Sequence, residues 1–517
     1  MFSTYFKRIS SLISAFCMVV SVSALASCES NGSDDISDDS GKLIISSDYV
    51  LVRPEEPTAT EDFLAKKLKG VLEKQSGISL TISTDWLAPS ETAPEKELLV
   101  GNTDRDESKA VYEKLGENEW AVTVSGNKIV IAGKGNKALT DAVNYFTDVY
   151  VSGKSAVELD KNDEKYDTSR LVYFSWKEDG ETVKVTGGGS YPRLYQLSDG
   201  RLMCARDDGS AIRACYSSDG GLTWEANTRS ISVLPQYTCA NAAIIEMLDG
   251  EILVAYRALG NKGDKYYGGI HVSSSKDGGK TWKNHSTVIS TENDGDKNAA
   301  VYEPHFIMMN GLLTVFYANA HEDYVKAPYQ YLEYKQYKNG KWGNRTIVAD
   351  GFAHKSRDGM PYVIQLSSGE YVCALEGWIP GTPQLMIKLI YSEDGKKWSE
   401  PIEIYRSSGT NAGAPAIAEL PNGQLVLSFQ TAEDCTHAEK RSDCAVMKTL
   451  ISDGTPIQAI SAENFTSLEN TFGTPEGYRS KWNALYVANG YLYAATSTNH
   501  PASQISICRY PLNEFSK

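Results

Sequence analysis

The stretch Ser217-Ser218-Asp219-Gly220-Gly221-Leu222-Thr223-Trp224 recurs as Ser275-Lys276-Asp277-Gly278-Gly279-Lys280-Thr281-Trp282, and both follow the pattern S-x-D-x-G-x-T-W. Residues 392–398 form a copy that is shorter by one residue, and residues 338–342 are a remnant. In such a turn the aspartate accepts hydrogen bonds from the amides that follow it, and the tryptophan packs between neighbouring sheets. We therefore expect these segments, called boxes below, to be structural and not catalytic.

Six tight turns ending in glycine lie between pairs of apolar strands, at intervals of about 50 to 70 residues. They are residues 197–200, 248–250, 309–311, 367–369, 421–423 and 488–490. Asp-Gly and Asn-Gly suit two-residue hairpin turns, whose central residues both have positive φ. This pattern predicts a mainly β protein with a six-bladed β-propeller over residues 170–517. Boxes in such a fold resemble the Asp-box (BNR) repeats of the sialidase-like superfamily.

Residues 42–166 alternate strand and helix patterns, which predicts a small α/β domain ahead of the propeller. Apolar runs at 43–45, 49–52, 97–101 and 128–133 predict strands. One helix is expected around residues 64–72 with a stop at Gly77, and a second carries Leu139, Ala142, Phe146 and Val149. The region resembles the accessory domain of hexosaminidases and α-glucuronidases. We expect it to act as a spacer or stabilising partner, with glycan binding as the alternative.

The N-terminus has the features of an export signal. Lys7 and Arg8 precede a short apolar run that ends in Leu25-Ala26-Ser27-Cys28. The sequence predicts a lipoprotein signal peptide over residues 1–28, lipidation of Cys28, and a flexible tether over residues 29–41. The alternative is an ordinary signal cleaved beside Cys28. We expect a lipoprotein anchored to the cell envelope, on the outer-membrane or periplasmic side, that touches the membrane only through this lipid.

Composition excludes several classes of ligand. A formal net charge of −15 argues against nucleic acid, because phosphate binding needs a basic surface. Nine cysteines lack metal-ligand spacing, and Cys435 with Cys444 is the near pair that could close a loop in an oxidising compartment. His321, His354 and His437 lie in predicted loops without an identifiable partner. We therefore expect no metal, no cofactor and a monomeric protein.

Polar residues stand where the apolar strands begin and end. In a propeller blade the first strand starts, and the second strand ends, at the same face of the disc. Glu303 at a strand start and Glu376 at a strand end belong to adjacent blades, so we expect them to face each other at one mouth of the central channel. Glycoside hydrolysis uses such a carboxyl pair. The alternative is that each pairs with an arginine that rigidifies the channel.

A family resemblance sharpens this expectation. Matching segments occur in the same order in glycoside hydrolase family 93, the exo-α-1,5-L-arabinanases; they are residues 240–242, 256–257, 302–304, 357–360, 375–376, 412–415 and 428–431. The resemblance covers most of the propeller and none of the preceding domain. It implies a retaining enzyme that releases arabinobiose from the non-reducing end of linear arabinan, with Glu303 as acid/base and Glu376 as nucleophile, about 5–5.5 Å apart.

Departures from the family pattern leave the exact glycan and the product length open. Tyr302 stands where tryptophan is more usual, and residues 430–434 differ from the family's run. Candidate substrate-binding residues around the two glutamates are Arg193, Asn241, Arg257, His305, Arg357, Asp358 and Asn483. The arginines could instead set the pKa and orientation of the glutamates. His305 could equally be a core histidine whose hydrogen bonds are made within the protein.

Two other functions fit the same fold. An exo-sialidase would use the three arginines to grip a carboxylate, with Asp207 or Asp358 as its acid/base. Its usual Arg-Ile-Pro signature is replaced by Tyr191-Pro192-Arg193-Leu194, however. The third possibility is a non-catalytic surface protein that captures glycans, since fold alone does not fix function. Such a binder has no need for two glutamates that approach one another.

Overall fold

The computed structural model describes residues 41–176, 180–185, 187–226, 228–294, 300–320, 328–382, 384–433, 445–468, 470–472, 478–500 and 504–512. Within the chain, Leu43–Lys517 forms one compact unit. The predicted signal peptide, Cys28, all but the last tether residue, Cys435, Cys444, His321 and His437 lie outside the described residues. Of the helices that the structure describes, none is both long and apolar enough to cross a membrane.

The first part of the fold contains eight strands and three α-helices. In chain order they are β1 Lys42–Ile44, β2 Val50–Arg53, α1 Ala59–Ser76, β3 Thr81–Thr84, β4 Glu97–Val100, α2 Asp106–Tyr112, β5 Glu119–Ser125, β6 Lys128–Gly133, α3 Asn136–Phe146, β7 Glu158–Asp160 and β8 Glu164–Thr168. Six of the strands form one sheet in the order β3-β2-β4-β6-β5-β8, and β1 pairs with β7.

Helices cover both faces of this six-stranded sheet. Neighbouring residues of a strand point to opposite faces, so each face presents apolar side chains that a helix can cover. Leu51 packs with α1 and α3, whereas Val52 packs with Val111 of α2. Helix α1 ends where expected, since Gly77 takes a left-handed conformation with φ 69°. Val149 was expected on the second helix, but α3 ends at Phe146 and a π-helical turn follows, which leaves Val149 40% exposed.

Among the residues that the structure describes, the second part of the fold has 25 strands, which form six radial sheets. The first three sheets contain β10 Ser190–Gln196, β11 Leu202–Asp207, β12 Ile212–Ser217 and β13 Arg229–Ser230; β14 Thr238–Glu246, β15 Ile252–Lys262, β16 Lys265–Ser275 and β17 Lys283–Asn293; and β18 Val301–Met309, β19 Leu312–Asn319, β20 Tyr331–Lys338, β21 Lys341–Trp342 and β22 Thr346–Asp350. We call them blades 1, 2 and 3.

Blades 4, 5 and 6 complete the ring. They contain β23 Arg357–Gln365, β24 Tyr371–Trp378, β25 Leu385–Ser392 and β26 Ile402–Arg406; β27 Ala412–Glu419, β28 Leu425–Thr431, β29 Val446–Ser452 and β30 Phe465–Ser467; and β31 Ser480–Ala488, β32 Tyr491–Thr498 and β33 Gln504–Pro511. The outermost strand of blade 6 is β9 Glu181–Val185, which pairs antiparallel with β33. The fold class predicted from the sequence, a six-bladed propeller preceded by α/β structure, is confirmed.

The six turns join the first and second strands of the six blades, as predicted. Their geometry differs from the expectation in four cases. Asn310-Gly311 and Asn489-Gly490 are two-residue turns in which both residues have positive φ. The other four loops are longer, and only their glycine has positive φ, as at Gly200. Loops of this length place a single left-handed residue at the end of the turn, so the preceding aspartate or asparagine keeps an ordinary φ.

The boxes join the outer strands and pin neighbouring blades. In the first box, Asp219 accepts a hydrogen bond from the amide of Thr223 at 2.9 Å, and the indole of Trp224 donates to the Gly221 carbonyl at 3.1 Å. A tyrosine of the preceding blade then donates to a glycine carbonyl of the box. These pairs are Tyr493 with Gly220 at 3.0 Å, Tyr216 with Gly279 at 3.2 Å and Tyr334 with Gly395 at 3.2 Å.

A bulge interrupts the first strand of every blade at the same point, and the bulged residue has positive φ. These six residues, which we call the bulge ring, are Tyr191, Asn241, Glu303, Met360, Ala414 and Trp482. Left-handed backbone is costly for residues other than glycine and persists where the surroundings impose it, commonly at functional sites. The bulge ring therefore indicates that a functional site lies at this end of the channel.

Residues before β9 contact the propeller through several polar bonds. Asn136 donates to the carboxylate of Asp453 at 2.9 Å, and the amide of Val172 donates to Gln424 Oε1 at 2.7 Å. Asn422 donates to the carbonyl of Arg170 at 3.0 Å. Of these, the bond from Asn136 comes from the predicted preceding domain, whereas Arg170 and Val172 fall within the predicted propeller range. The division into domains at residues 42–166 and 170–517 and the role of the first domain stay predictions.

Candidate active site

The strand ladders place one second-strand residue of each blade beside the bulge ring. Each is paired with the residue that directly precedes the bulge, so the six positions are structurally equivalent. They are Asp207, Arg257, Ala318, Glu376, Gln430 and Ser497 in blades 1 to 6. We call them the ladder positions. Together with the bulge ring they form the polar mouth of the channel.

Glu303 and Glu376 both lie close to Gly359 in the first strand of blade 4. Glu376 is the ladder partner of Gly359, and partners in an antiparallel pair have Cα atoms about 4.5–5.5 Å apart. A Cβ atom placed on Gly359 would lie 2.5 Å from Nε2 of Gln330 and 3.6 Å from Oε2 of Glu303. The two glutamates are close enough for the charge of Glu303 to act on Glu376.

Backbone amides of the bulge ring hold both carboxyl groups. The amide of Met360 donates to Glu303 Oε2 at 3.4 Å, and the amide of Ala414 donates to Glu376 Oε2 at 2.8 Å. Each glutamate thus reaches from its own blade to the first strand of the next one. Only one oxygen of Glu376 is used in this way, which leaves Oε1 for another partner.

Burial changes the protonation of Glu376. Loss of solvent and, to a smaller extent, the nearby charge of Glu303 raise the pKa of Glu376 to about 7, although the Ala414 amide and Arg357 act to lower it. Glu376 is 9% exposed, whereas Glu303 is half-buried. Two carboxyl groups in unequal environments are typical of sites that use one group as an acid and the other as a base.

The three predicted arginines act on overlapping sets of groups. Arg357 acts electrostatically on Glu376 and on Tyr302. Arg193 and Arg257 act on Asp207 and on Tyr191, and the Arg257 guanidinium also lies 5.4 Å from the ring centre of Tyr302. Arg193 is 7% exposed and donates to the carbonyl of Pro192 at 2.8 Å and to that of Asn483 at 3.2 Å. Its guanidinium also lies 3.8 Å from the ring centre of Tyr191.

Asp207 and Tyr191 belong to this mouth; the sequence indicates Asp207 only as a possible acid/base of the sialidase alternative and does not indicate Tyr191 as a site residue. Asp207 is buried at the ladder position of blade 1 and accepts from the amide of Asn241 at 3.1 Å. The hydroxyl of Tyr191 experiences the charges of Asp207, Glu303 and both arginines, so these groups share one pocket. The signal for Asp207 was its place at a second-strand end, the same signal that pointed to Glu376.

Three predicted substrate-binding residues lie in internal networks. His305 is deeply buried, its Nε2 donates to the carbonyl of Val363 at 2.9 Å, and burial lowers its pKa to about 3, so it is neutral. Asp358 is fully buried and pairs with Lys388 at 2.9 Å. Asn483 is fully buried and accepts from the Thr496 hydroxyl at 3.0 Å. These contacts favour roles in shaping the channel over direct contact with a substrate.

Three open spaces lie along the channel and at its mouth. Behind the bulge ring the channel contains a cavity of about 310 Å³, which is lined by the first strands of all six blades and includes Arg193 and His305. Two depressions of about 390 and 380 Å³ lie at the mouth beside blades 5 and 6 and share Lys481. The first includes Gly413, the neighbour of Glu376, and the second includes the partly exposed Trp482. Neither glutamate is among the described residues that line these three spaces; the first depression approaches Glu376 through Gly413.

No cluster of histidine, cysteine or acidic side chains suited to a metal ion occurs among the described residues. His354, one of the loop histidines, lies 3.4 Å from Glu400. The five cysteines that the structure describes are all buried thiols. Nothing in this part of the chain adds a metal to the site.

Solved structures share the propeller fold. An α-L-arabinofuranosidase of Fusarium graminearum in complex with arabinobiose matches with a TM-score of 0.50 and 18% identity, over 65% of this chain and 99% of that chain. An α-L-arabinanase of Penicillium chrysogenum complexed with arabinobiose matches with a TM-score of 0.49 and 19% identity, over 65% and 98%. A sialidase of Trypanosoma rangeli matches with a TM-score of 0.40 and 12% identity, over 63% and 55%.

These structural neighbours are glycoside hydrolases, and at such identities the likeness shows the fold. No protein-family profile matches the sequence, and no curated protein matches it either.

Proposed function

We propose that this protein is a retaining exo-glycosidase of glycoside hydrolase family 93. It cleaves α-1,5-L-arabinan or a related plant polysaccharide from the non-reducing end. The observation that carries the proposal is that Glu303 and Glu376 both lie close to Gly359, where burial and the charge of Glu303 raise the pKa of Glu376 to about 7. Solved propellers that bind arabinobiose support the choice of sugar.

In the proposed reaction Glu376 Oε1 attacks the anomeric carbon while the glycosidic C–O bond breaks. Glu303 gives its proton to the leaving oxygen, and a glycosyl ester on Glu376 results. Water then attacks the same carbon, Glu303 takes a proton from this water, and the bond to Glu376 breaks. The half-buried Glu303 is suited to both proton steps because it keeps more access to solvent than the buried Glu376.

In the unliganded protein Glu376 keeps a proton up to about neutral pH, since the pKa of that group is raised to about 7. The assignment of Glu376 as nucleophile therefore requires transfer of this proton to Glu303 when the substrate binds. The opposite assignment, with Glu376 as acid and Glu303 as nucleophile, needs no such transfer. Titration in a coupled pair belongs to both groups together, so chemistry has to distinguish the two assignments.

Hydrolysis of linear arabinan tests the reaction class. The wild-type protein is incubated with this polymer and the products are separated by chromatography; arabinobiose is the expected product. Glu376→Gln and Glu303→Gln should each lower kcat about a thousandfold or more, because both carboxyl groups act in the transition state. Glu393→Gln, a change at an exposed carboxylate of a box, should leave kcat unchanged. Full activity in Glu376→Gln would reject the mechanism.

Azide identifies the nucleophile. With a substrate that carries an activated leaving group, azide should restore turnover of Glu376→Ala and give a glycosyl azide of inverted configuration. Azide added to Glu303→Ala should give a glycosyl azide of retained configuration. The reverse pattern would exchange the two roles while preserving the glycosidase proposal.

A neutral sugar fits this pocket better than a sialic acid. Two backbone carbonyls accept hydrogen bonds from Arg193, and the charge of buried Asp207 is shared by Arg193 and Arg257. An arginine cluster that grips a substrate carboxylate needs its donors facing the ligand. We therefore expect no release of sialic acid from a fluorogenic sialoside under conditions in which arabinan is cleaved.

We further propose that the protein is exported and anchored through a lipid on Cys28. The support is the order of basic residues, apolar run and Leu25-Ala26-Ser27-Cys28 at the N-terminus. In the wild type, mass spectrometry of the mature N-terminus should find an acylated Cys28 in the membrane fraction. Cys28→Ala should leave the membrane fraction, and wild-type partition of that variant would contradict the anchor.

A further inference from the structure

The ladder positions relate Asp207 to Glu376 across the channel. Asp207 belongs to blade 1 and Glu376 to blade 4, so in a six-bladed ring they stand on opposite walls. Their residual exposures are 7% and 9%. Both accept a hydrogen bond from the bulge-ring amide of the following blade. Among the six equivalent positions, these two are the carboxyl groups.

A carboxyl group is not needed for this backbone contact. At the ladder position of blade 5 the neutral side chain of Gln430 accepts from the amide of Trp482 at 2.8 Å. Burying a carboxyl group costs more than burying an amide, because the charged form loses its hydration. The presence of an acid at residue 207 therefore calls for a role beyond holding two blades together.

The surroundings of Asp207 leave polar capacity for a ligand. The titratable and charged groups near it are Arg193 and Tyr191 on β10, Arg257 on β15, Asp208 beside it on the chain and Cys239 on β14. Asn241, which is 8% exposed, has no hydrogen-bond partner for its Oδ1 among the described residues. A buried polar atom without a partner is costly and commonly awaits a ligand or water.

We propose that Asp207 is a third carboxyl group of the active site, which with Asn241 binds hydroxyl groups of the sugar ring held between Glu303 and Glu376. Asp207 would contact the ring from the wall opposite Glu376 and so determine how the anomeric carbon faces the nucleophile. The inference rests on the proposed function in that the ligand is a neutral sugar.

The chemistry of Asp207 and Asn241 supports a hydroxyl ligand. Burial raises the pKa of Asp207 to about 7, so near neutral pH the group is partly a neutral acid that both donates and accepts. A sugar hydroxyl also donates and accepts, and Asn241 Oδ1 supplies a second acceptor beside it. A carboxylate ligand has only acceptor atoms, and it would face the oxygen acceptors of Asp207 and Asn241.

Binding of oligosaccharides to an inactive protein tests the inference. The parent is Glu376→Gln, the ligands are arabinotriose and sialyllactose, and calorimetry measures the dissociation constant. Adding Asp207→Asn, which keeps an acceptor for the Asn241 amide, should weaken arabinotriose binding about tenfold or more, a loss of about 1.4 kcal/mol. Adding Asp208→Asn, a change to the neighbouring carboxylate on the protein surface, should leave the affinity within about twofold.

A second measurement separates binding from structural damage. In the otherwise wild-type enzyme, Asp207→Asn should raise KM for arabinan more than it lowers kcat, and its melting temperature should not fall. Unchanged arabinotriose affinity in Asp207→Asn would overturn the inference. A lower affinity that is accompanied by a lower melting temperature would overturn it as well. If arabinotriose binds but wild-type protein does not cleave arabinan, the proposed function fails and the Asp207 result stands. If neither ligand binds the parent, both proposals fail.

Discussion

Gly413 lies against the carboxyl group of Glu376, so closely that a Cβ atom added to this glycine would stand 2.7 Å from Glu376 Oε2. The next obstacle, Leu385 Cδ1, would be 3.4 Å away. The atom that has to give way is thus the end of a flexible side chain and not the backbone. A single methyl group at this point displaces the candidate nucleophile without disturbing the core.

Gly413→Ala should therefore separate activity from stability. We expect kcat on arabinan to fall about 10- to 100-fold, because a shift of about 1 Å in a reacting group has effects of this size. The free energy of unfolding in urea should change by less than about 1 kcal/mol. The control is Gly70→Ala in the exposed interior of α1, where an added Cβ meets nothing within 4 Å. It should stabilise the protein slightly and leave kcat unchanged.

Protonation of Glu376 should couple stability to pH. Its pKa is raised to about 7 in the folded protein from 4.5 in the unfolded chain. Between these values the folded state holds a proton that the unfolded state has lost. This contribution is therefore fully present below about pH 4.5 and is lost as pH rises through 7. His271 and His305, whose pKa values are lowered by burial, titrate with the opposite sign in the acidic part of this window.

A comparison of Glu376→Gln with wild type isolates the carboxyl group. The difference in unfolding free energy, variant minus wild type, should increase by about 1–3 kcal/mol from pH 5 to pH 8. Urea titrations at the two pH values measure this difference. Asp219→Asn offers a contrast, because hydrogen bonds from Thr223 lower the pKa of Asp219 to about 2, well below the window. Equal pH dependence in Glu376→Gln and wild type would contradict the raised pKa.

Activity should need one proton on the glutamate pair. Since burial and the charge of Glu303 raise the pKa of Glu376 to about 7, the pair loses this proton as pH rises past neutrality. We expect kcat/KM for arabinan to fall above about pH 7, roughly tenfold per pH unit. Initial rates from pH 4 to pH 9 test this. A profile that stays level up to pH 9 would show that the proton is held differently.

The tyrosine contacts of the boxes should matter for stability alone. Tyr216→Phe removes the hydrogen bond to the Gly279 carbonyl, which joins blade 1 to the box of blade 2. We expect a loss of about 1 kcal/mol in unfolding free energy and no change in kcat/KM. Tyr49→Phe is the matched control, because in the part of the chain that the structure describes the buried Tyr49 hydroxyl has no hydrogen-bond partner. A fall in kcat/KM for Tyr216→Phe at full stability would give the boxes a catalytic role.

The features predictable from the sequence were those with a local signal. Glycine-ended turns and boxes marked the blades because positive φ and repeated turn bonds restrict the residues that can stand there. The candidate glutamates followed from strand order. Strand β9 was missed, although Glu181-Thr182-Val183-Lys184-Val185 alternates as a strand should. Its partner lies at the far end of the chain, and nothing local indicates that pairing.

The remaining features depend on surroundings that only the folded chain creates. Met360 and Ala414 adopt positive φ without being residues that favour it. Asp358 is a reasonable candidate for sugar binding from its place in the sequence, but in the structure its carboxylate accepts a hydrogen bond from Lys388. Asp207 stood in the same sequence position as Glu376 within its blade, but its burial and its neighbours gave it significance only in three dimensions.

The pairing of β9 with β33 joins residues 181–185 to residues 505–509. Nearly the whole propeller must therefore be synthesised before the ring can close. Contacts between such distant segments are slow to form, since a long loop has to be ordered first. Each blade can build its hairpins early, but the pocket between opposite walls exists only after closure. Sugar-binding capacity should thus be the last property that the newly made chain acquires.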